Sequence, residues 1–225
     1  MFGSIASSYD LNNRVHAFGL DQRWRRRLTA LLGIGPGDRV LDVACGTGDL
    51  TEAAACCRPA SVLGVDFTPE MLEIAEAKAR RRAFPGVLPE YRCGDATALE
   101  LDDSSFDVAM IAFGIRNVDL PATAVGEFHR VLTTGGRLGI LEFSEPTNGL
   151  MRWMNGLYTR RIMPLTATLI ARDRSGAYRY LPKSVETFLD PTALSQLLRD
   201  AGFEIASQTA LTFGACTATI ARKVQ

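Results

Sequence analysis

Residues 40–50 read Val-Leu-Asp-Val-Ala-Cys-Gly-Thr-Gly-Asp-Leu, an apolar run that breaks into a glycine-rich turn flanked by acids. Gly46 and Gly48 let backbone approach a ligand with no Cβ in the way. Asp42 and Asp49 put negative charge on either side of that turn. A pyrophosphate site presents bare N–H groups at a helix N-terminus, and neighbouring carboxylates oppose it. An acidic turn instead suits a cationic ligand, such as the amino group and sulfonium of S-adenosylmethionine. A second acid, Asp66, closes the next apolar run at 61–65, where a carboxylate accepts from ribose hydroxyls. The dinucleotide fingerprint asks for a third glycine where this chain has Thr51, so that match is partial. Because Asp66 serves both ligand classes, a dinucleotide-dependent oxidoreductase stays open on these residues alone.

Regular alternation of strands and helices must position these groups. The apolar run before Gly46 reads as a parallel strand covered on both faces. Residues 69–82 follow Thr68 as a capped helix that turns Met71, Leu72, Ala75 and Ala79 to the sheet. Residues 90–93 make a short third strand, and 106–113 a fourth that ends at Gly114. A helix over 121–132 presents Ala124, Val125, Phe128 and Leu132, and Gly135-Gly136 turns the chain into a fifth strand at 137–143. Strand, helix, strand in this rhythm means a parallel sheet with right-handed crossovers. After Pro146 the rhythm breaks into 150–171, where Trp153, Tyr158 and three methionines mix with Arg152, Arg160 and Arg161. That stretch reads as an edge helix, as a lid over an apolar substrate, or as a membrane-touching surface. Asp190-Pro191 starts a helix stopped by Gly202, and 203–209 and 211–221 form a final antiparallel hairpin at the sheet edge.

The 225 residues fit one α/β domain. An apolar share of 47% is that of a globular chain. Zero formal net charge argues against a protein built to hold nucleic acid. Five cysteines without a Cys-x-x-Cys pair or metal-ligand spacing read as reduced cytosolic thiols, and no metal is expected. Arginines cluster at Arg23 and Arg25 to Arg27 and again at Arg80 to Arg82; both read as solvated helix faces, and the first also suits an anionic membrane surface. No segment reads as a signal peptide or a transmembrane helix.

Several separate blocks carry a resemblance that spans nearly the whole chain. They include Met1-Phe2-Gly3-Ser4-Ile5-Ala6 with Tyr9-Asp10, Gly46-Thr47-Gly48-Asp49-Leu50, and Gly64-Val65-Asp66-Phe67. Further on stand Phe113-Gly114-Ile115-Arg116-Asn117-Val118, Leu141-Glu142-Phe143-Ser144 and Tyr178-Arg179-Tyr180-Leu181. The chain resembles the ubiquinone/menaquinone biosynthesis C-methyltransferases, a branch of the class I S-adenosylmethionine-dependent methyltransferases. The resemblance implies a Rossmann-like α/β sheet, mostly parallel with an antiparallel C-terminal edge hairpin and helices on both faces. It implies one domain over 1–225, with an N-terminal helical cap over about 1–33 and a substrate-covering insertion over about 147–183. It also implies methyl transfer to a ring carbon of a prenylated quinol, with demethylmenaquinol favoured. Another lipid or small phenol is the alternative acceptor, and a non-catalytic assembly subunit remains a further reading. A long lipid-bearing acceptor points to a cytoplasmic protein in peripheral contact with the inner face of the membrane, and a homodimer is allowed.

The resemblance places the donor at Asp42, Gly46, Thr47 and Gly48, at Asp66 and Phe67, and at Asp95 and Ala96 beside adenine. Ala112 joins them where much of the family has Ser. On the acceptor side stand Arg116, Asn117 and Tyr9. Carbon methylation needs an electron-rich ring, and an ionised quinol oxygen supplies it. Arg116, just past the fourth strand, is expected to stabilise that oxyanion, because arginine stays protonated, with a water-mediated part in the deprotonation as the alternative. Asn117 and Tyr9 are expected to orient the oxygen or a bridging water. Two departures from the family pattern shape the pocket: Leu99-Glu100-Leu101 replaces its Leu-Pro-Phe, and Thr219 replaces a common His in the last strand.

Overall fold

The computed structural model describes residues 19–146, 148–149, 152–153, 156 and 188–224. Helix α1 (Leu20–Leu32) buries Trp24, Leu28 and Leu32 along one stripe. Then come β1 (Arg39–Val43), α2 (Asp49–Ala55), β2 (Ser61–Asp66), α3 (Pro69–Arg81) and β3 (Glu90–Cys93). They are followed by β4 (Phe106–Ala112), α4 (Pro121–Val131) and β5 (Leu132–Phe143). The chain finishes with α5 (Pro191–Asp200), β6 (Phe203–Leu211) and β7 (Cys216–Lys223).

These strands form one sheet in the order β3-β2-β1-β4-β5-β7-β6. Strands β1 to β5 are parallel, and β7 lies antiparallel between β5 and β6. This is a Rossmann-like α/β sheet with an antiparallel edge. The strand order reverses between β1 and β4, so their C-terminal ends flank the crevice where open α/β sheets hold ligands. Alternation along β4 explains its nearly continuous apolar run, broken only by Asp107. Val108 and Met110 pack with Leu28 and Leu32 of α1, while Ala109 and Ile111 pack with Val125 and Phe128 of α4. Each large side chain fully buried here contributes about 1.5–3 kcal/mol.

Several element boundaries differ from the expectations. Leu132 opens β5 rather than closing α4, and it pairs with Phe106 of β4. The Lys223 ammonium donates to the His129 and Leu132 carbonyls at 2.7 and 2.8 Å, which satisfies the helix end there. Gly135 and Gly136 do not precede the strand but form an irregularity inside it, where the register with β4 shifts after Phe106. Strand β4 stops at Ala112, because Phe113 takes a left-handed φ of 58°. The Thr68 side chain makes no capping bond to α3; the Asp66 carboxylate instead accepts from the Thr68 N–H at 2.9 Å. The last hairpin turns at Thr212–Gly214 rather than near Ala210, and the Thr212 hydroxyl accepts from the Trp24 indole at 2.9 Å. Helix α5 starts where expected, with the Asp190 carboxylate accepting from the Ala193 N–H at 2.8 Å. Of the expected N-terminal cap, α1 is described; Tyr9 and nearly all of 147–183 lie outside the described residues.

Candidate active site

The turn after β1 is wound by three left-handed residues, Ala44 (φ 53°), Gly46 (φ 55°) and Gly48 (φ 83°). A Cβ on Gly46 would meet open space, so backbone is accessible there. Gly48 has a different reason to be glycine. A Cβ there would lie 2.5 Å from the Tyr91 hydroxyl and 3.1 Å from the Ala75 Cβ. A Cβ on Gly64 would likewise lie 2.8 Å from the Tyr91 ring and 3.0 Å from the Cys45 sulfur. Tyr91, on the short strand β3, therefore fills the space that Gly48 and Gly64 leave. Sequence reading missed this residue; an aromatic on a polar edge strand near two glycines was the available signal.

The acids around the turn do not share one role. Asp49 pairs with Lys78 at 2.5 Å and accepts from Gln22 at 2.6 Å, so its charge is balanced by its own neighbours. Asp42 is buried beneath the turn, where the Thr51 hydroxyl donates to it at 2.6 Å. Burial pushes its carboxyl up to about 7, against the opposing pull of the Thr51 hydrogen bond and of Arg25. Its second oxygen has no hydrogen-bond partner among the described residues. Asp66 is the acid that reaches the turn backbone, accepting from the Gly46 N–H at 2.7 Å. Cys45, buried in the turn, has its thiol pushed up by burial and by Asp42 and Asp66, which makes it an inert filler.

Backbone bonds stitch the three strand ends together. Cys45 N–H donates to the Val65 carbonyl at 3.0 Å, and Gly94 N–H donates to the Asp66 carbonyl at 3.0 Å. Beyond them, Phe67 is 74% exposed at the end of β2. Asp95 is exposed after β3, and its carboxylate accepts from the Thr97 N–H and hydroxyl, both at 2.8 Å, which lowers its pKa. Ala96 is half-buried beside it, and Thr47 is buried within the glycine turn. The expected donor residues thus gather along the C-terminal ends of β1, β2 and β3, with Ala112 across the crevice at the end of β4.

The ends of β4 and β5 hold a second cluster. Arg116 sits in a 3-10 turn, Ile115–Asn117, and pairs with Glu142 of β5 at 2.6 Å, the two side chains 6% and 5% exposed. Arg116 also donates to the Phe113 carbonyl at 2.8 Å, which explains how the left-handed Phe113 is held. Glu142 Oε1 accepts a further bond from the Phe143 N–H at 2.9 Å, while Oε2 has no partner among the described residues. Burial raises the Glu142 pKa, and Arg116 works against that rise. Phe113 and Phe143 stack with centroids 4.6 Å apart, and Trp24 stands about edge-on to Phe143 at 6.2 Å. The Arg25 and Arg116 guanidinium groups each lie 5.3 Å from one of these rings, over Phe113 and Phe143 respectively. Asn117 Nδ2 donates to the Phe113 carbonyl at 3.3 Å, and its Oδ1 lacks a partner among the described residues. In the sequence Glu142 stands out only within the Leu141–Ser144 block; a carboxylate inside an apolar strand is the sign that it needs a buried cation.

An open glycine turn tied to a strand-end acid, beside a buried Arg–Glu pair, sets the switch-point crevice against an aromatic and ionic wall. Residues 1–223 match the family model described as the ubiE/COQ5 methyltransferase family. The chain belongs to that family. It is 45% identical over 215 residues to the demethylmenaquinone methyltransferase of Thermus thermophilus, covering 95% of this chain and 96% of that one. It is 40% identical over 225 residues to the ubiquinone/menaquinone biosynthesis C-methyltransferase UbiE of a Geobacter species, covering 99% and 94%. Solved structures share the fold at lower identity. A SAM-dependent methyltransferase from Aquifex aeolicus superposes with a TM-score of 0.69 at 18% identity, covering 99% of this chain and 98% of that one. Magnesium protoporphyrin IX methyltransferase from Synechocystis, with bound SAH, gives 0.63 at 20% identity, covering 94% and 85%. As a member of this family the chain is a methyltransferase, and the dinucleotide oxidoreductase reading is set aside.

Proposed function

We propose that this methyltransferase moves a methyl group from S-adenosylmethionine to a ring carbon of a prenylated quinol, with demethylmenaquinol as the favoured acceptor. The observation that carries this reading is the placement of two unlike clusters at one switch point. The glycine turn with Asp66 lies at the ends of β1 and β2, and the Arg116–Glu142 pair with its aromatic wall lies at the ends of β4 and β5. The residues fit the donor, since Gly46 opens onto free space and the Asp66 carboxylate retains lone pairs for ribose hydroxyls. Asp95 accepts from the adenine amino group, Ala96 offers its N–H, and the exposed Phe67 ring covers the nucleoside. Gly46, Thr47, Gly48 and the acid Asp42 hold the cationic amino-acid end, with Ala112 opposite.

The donor supplies an electrophilic methyl on a sulfonium, so the protein's work is to align it and to make the ring carbon nucleophilic. Arg116 favours charge on the quinol oxygen, and Asn117 and Tyr9 orient that oxygen or a bridging water. A prenyl tail asks for apolar surface near the crevice. Exposed Trp153 (65%) and Phe213 (75%) support peripheral contact with the inner face of a membrane. Among the described residues no helix is long and apolar enough to cross a membrane. The test is methyl transfer from labelled S-adenosylmethionine to short-chain demethylmenaquinol and to the corresponding demethylated benzoquinol, both kept reduced. Turnover faster on the naphthoquinol supports the stated preference; turnover on neither quinol overturns the reading.

A further inference from the structure

Glu142 is a second group on the acceptor side, and its geometry gives it a task of its own. The carboxylate is buried and uses only one oxygen. Oε1 takes bonds from Arg116 and from the Phe143 N–H, while Oε2 has no partner among the described residues. A buried carboxylate oxygen left unpaired is costly, and such oxygens persist where a ligand or a proton completes them. The charged and titratable groups around it come from three elements. Arg116 follows β4, Cys216 lies on β7, and Arg25 of α1 is paired with Asp21 at 2.7 Å. Burial and the nearby Glu142 both raise the Cys216 thiol, so it stays protonated and does not compete as a base.

Resting on the quinol methyltransferase reading, we propose that Glu142 is the catalytic base, its Oε2 taking the proton of the quinol hydroxyl that flanks the methylated carbon. The O–H bond breaks as Oε2–H forms, and the oxygen's electron pair moves into the ring. The ring carbon then bonds to the methyl as the sulfur–methyl pair returns to sulfur. The resulting ring carbonyl takes the proton back from Glu142 while the ring C–H proton leaves to water. The sum is one methyl gained by the ring and one proton released to solvent. Arg116 favours the ionised carboxylate before the step and shares the charge of the quinolate during it. Burial raises the carboxyl above its ordinary value, so it takes a proton more readily than an exposed glutamate does.

Glu142→Gln tests this through the pH profile of kcat, with S-adenosylhomocysteine binding as the check on folding. The expected result is unchanged S-adenosylhomocysteine affinity and a kcat lower by roughly 100-fold or more near pH 7. The variant's rate then climbs about tenfold per pH unit, because only quinol ionised in solution reacts, with a phenolic pKa near 10. Wild-type turnover instead levels off once the carboxylate is ionised. A Gln variant with wild-type kcat, or one slowed by the same factor at every pH, overturns the assignment. Should the Gln variant lose S-adenosylhomocysteine binding, Glu142→Asp decides, since it keeps the ion pair. A reduced kcat with a displaced acid limb supports the base role, and an unchanged profile overturns it. A wild-type enzyme inactive on every quinol overturns the function itself, which is a different outcome from an active enzyme indifferent to Glu142.

Discussion

The Asp66 carboxylate accepts from the Gly46 backbone N–H at 2.7 Å, tying the end of β2 to the glycine turn after β1. Its other oxygen accepts from the Thr68 N–H at 2.9 Å at the entrance to α3. One side chain thus fixes both walls of the donor crevice while keeping lone pairs for a ligand.

Removing that carboxylate therefore acts twice. Asp66→Ala is expected to weaken S-adenosylhomocysteine binding by about 10- to 100-fold, the scale of charge-assisted hydrogen bonds lost on burial. Calorimetric titration reads this directly. An affinity within threefold of wild type would show that Asp66 neither shapes the turn nor touches the donor.

Gly64 and Tyr91 form a steric pair that a double-mutant cycle can measure. Gly64→Ala puts a methyl 2.8 Å from the Tyr91 ring and is expected to cost about 1–3 kcal/mol of stability. In the background of Tyr91→Leu part of that cost should vanish with the ring, the remainder coming from the Cys45 sulfur 3.0 Å away. Additive losses in urea unfolding would mean that another contact forces glycine at this position.

Asp42 predicts a pH dependence of stability with a definite sign. Its carboxyl sits near 7 in the fold against an ordinary 3.8. Between those values the folded protein holds a proton that the unfolded chain has lost, so stability falls as pH rises from about 4 through 7. The loss is at most about 4 kcal/mol. Asp42→Asn keeps the shape without the charge and should flatten this slope in urea unfolding measured across that range. An unchanged slope would place the titration elsewhere.

Arg116 and Glu142 separate structure from chemistry. Arg116→Ala strands a buried carboxylate and is expected to cost about 3–5 kcal/mol. Replacing both partners by apolar residues, as Arg116→Met with Glu142→Leu, should recover most of that stability without recovering turnover. Thermal melts and a methyl-transfer assay on the same samples distinguish the two effects. Wild-type turnover in the double variant would reduce the pair to a structural device.

Local pattern made much of this fold legible. Val40, Leu41 and Val43 announced β1, and all three are buried. Asp190-Pro191 announced α5, and the cap bond to Ala193 is present. What escaped was set by tertiary neighbours. Nothing in 211–221 says that β7 slots between β5 and β6, because strand order is decided by packing across the whole sheet. Leu132 fits a helix face as well as a strand, and Lys223, far along the chain, settles where α4 ends. Arg116 was recognisable as chemistry-bearing, but its ion pair with Glu142 spans 26 residues and two strand ends. Asp42 and Asp49 looked alike in sequence, yet one is buried under the turn and the other is paired with Lys78.

The most direct test of the central claim is where the methyl lands. The enzyme is incubated with carbon-13 methyl-labelled S-adenosylmethionine and reduced short-chain demethylmenaquinol, and the product is examined by carbon and proton NMR. The expected result is one labelled methyl bonded to the quinol ring carbon, with both hydroxyls intact. A label on oxygen, or no label in the quinol while a known family member labels it in parallel, would contradict it.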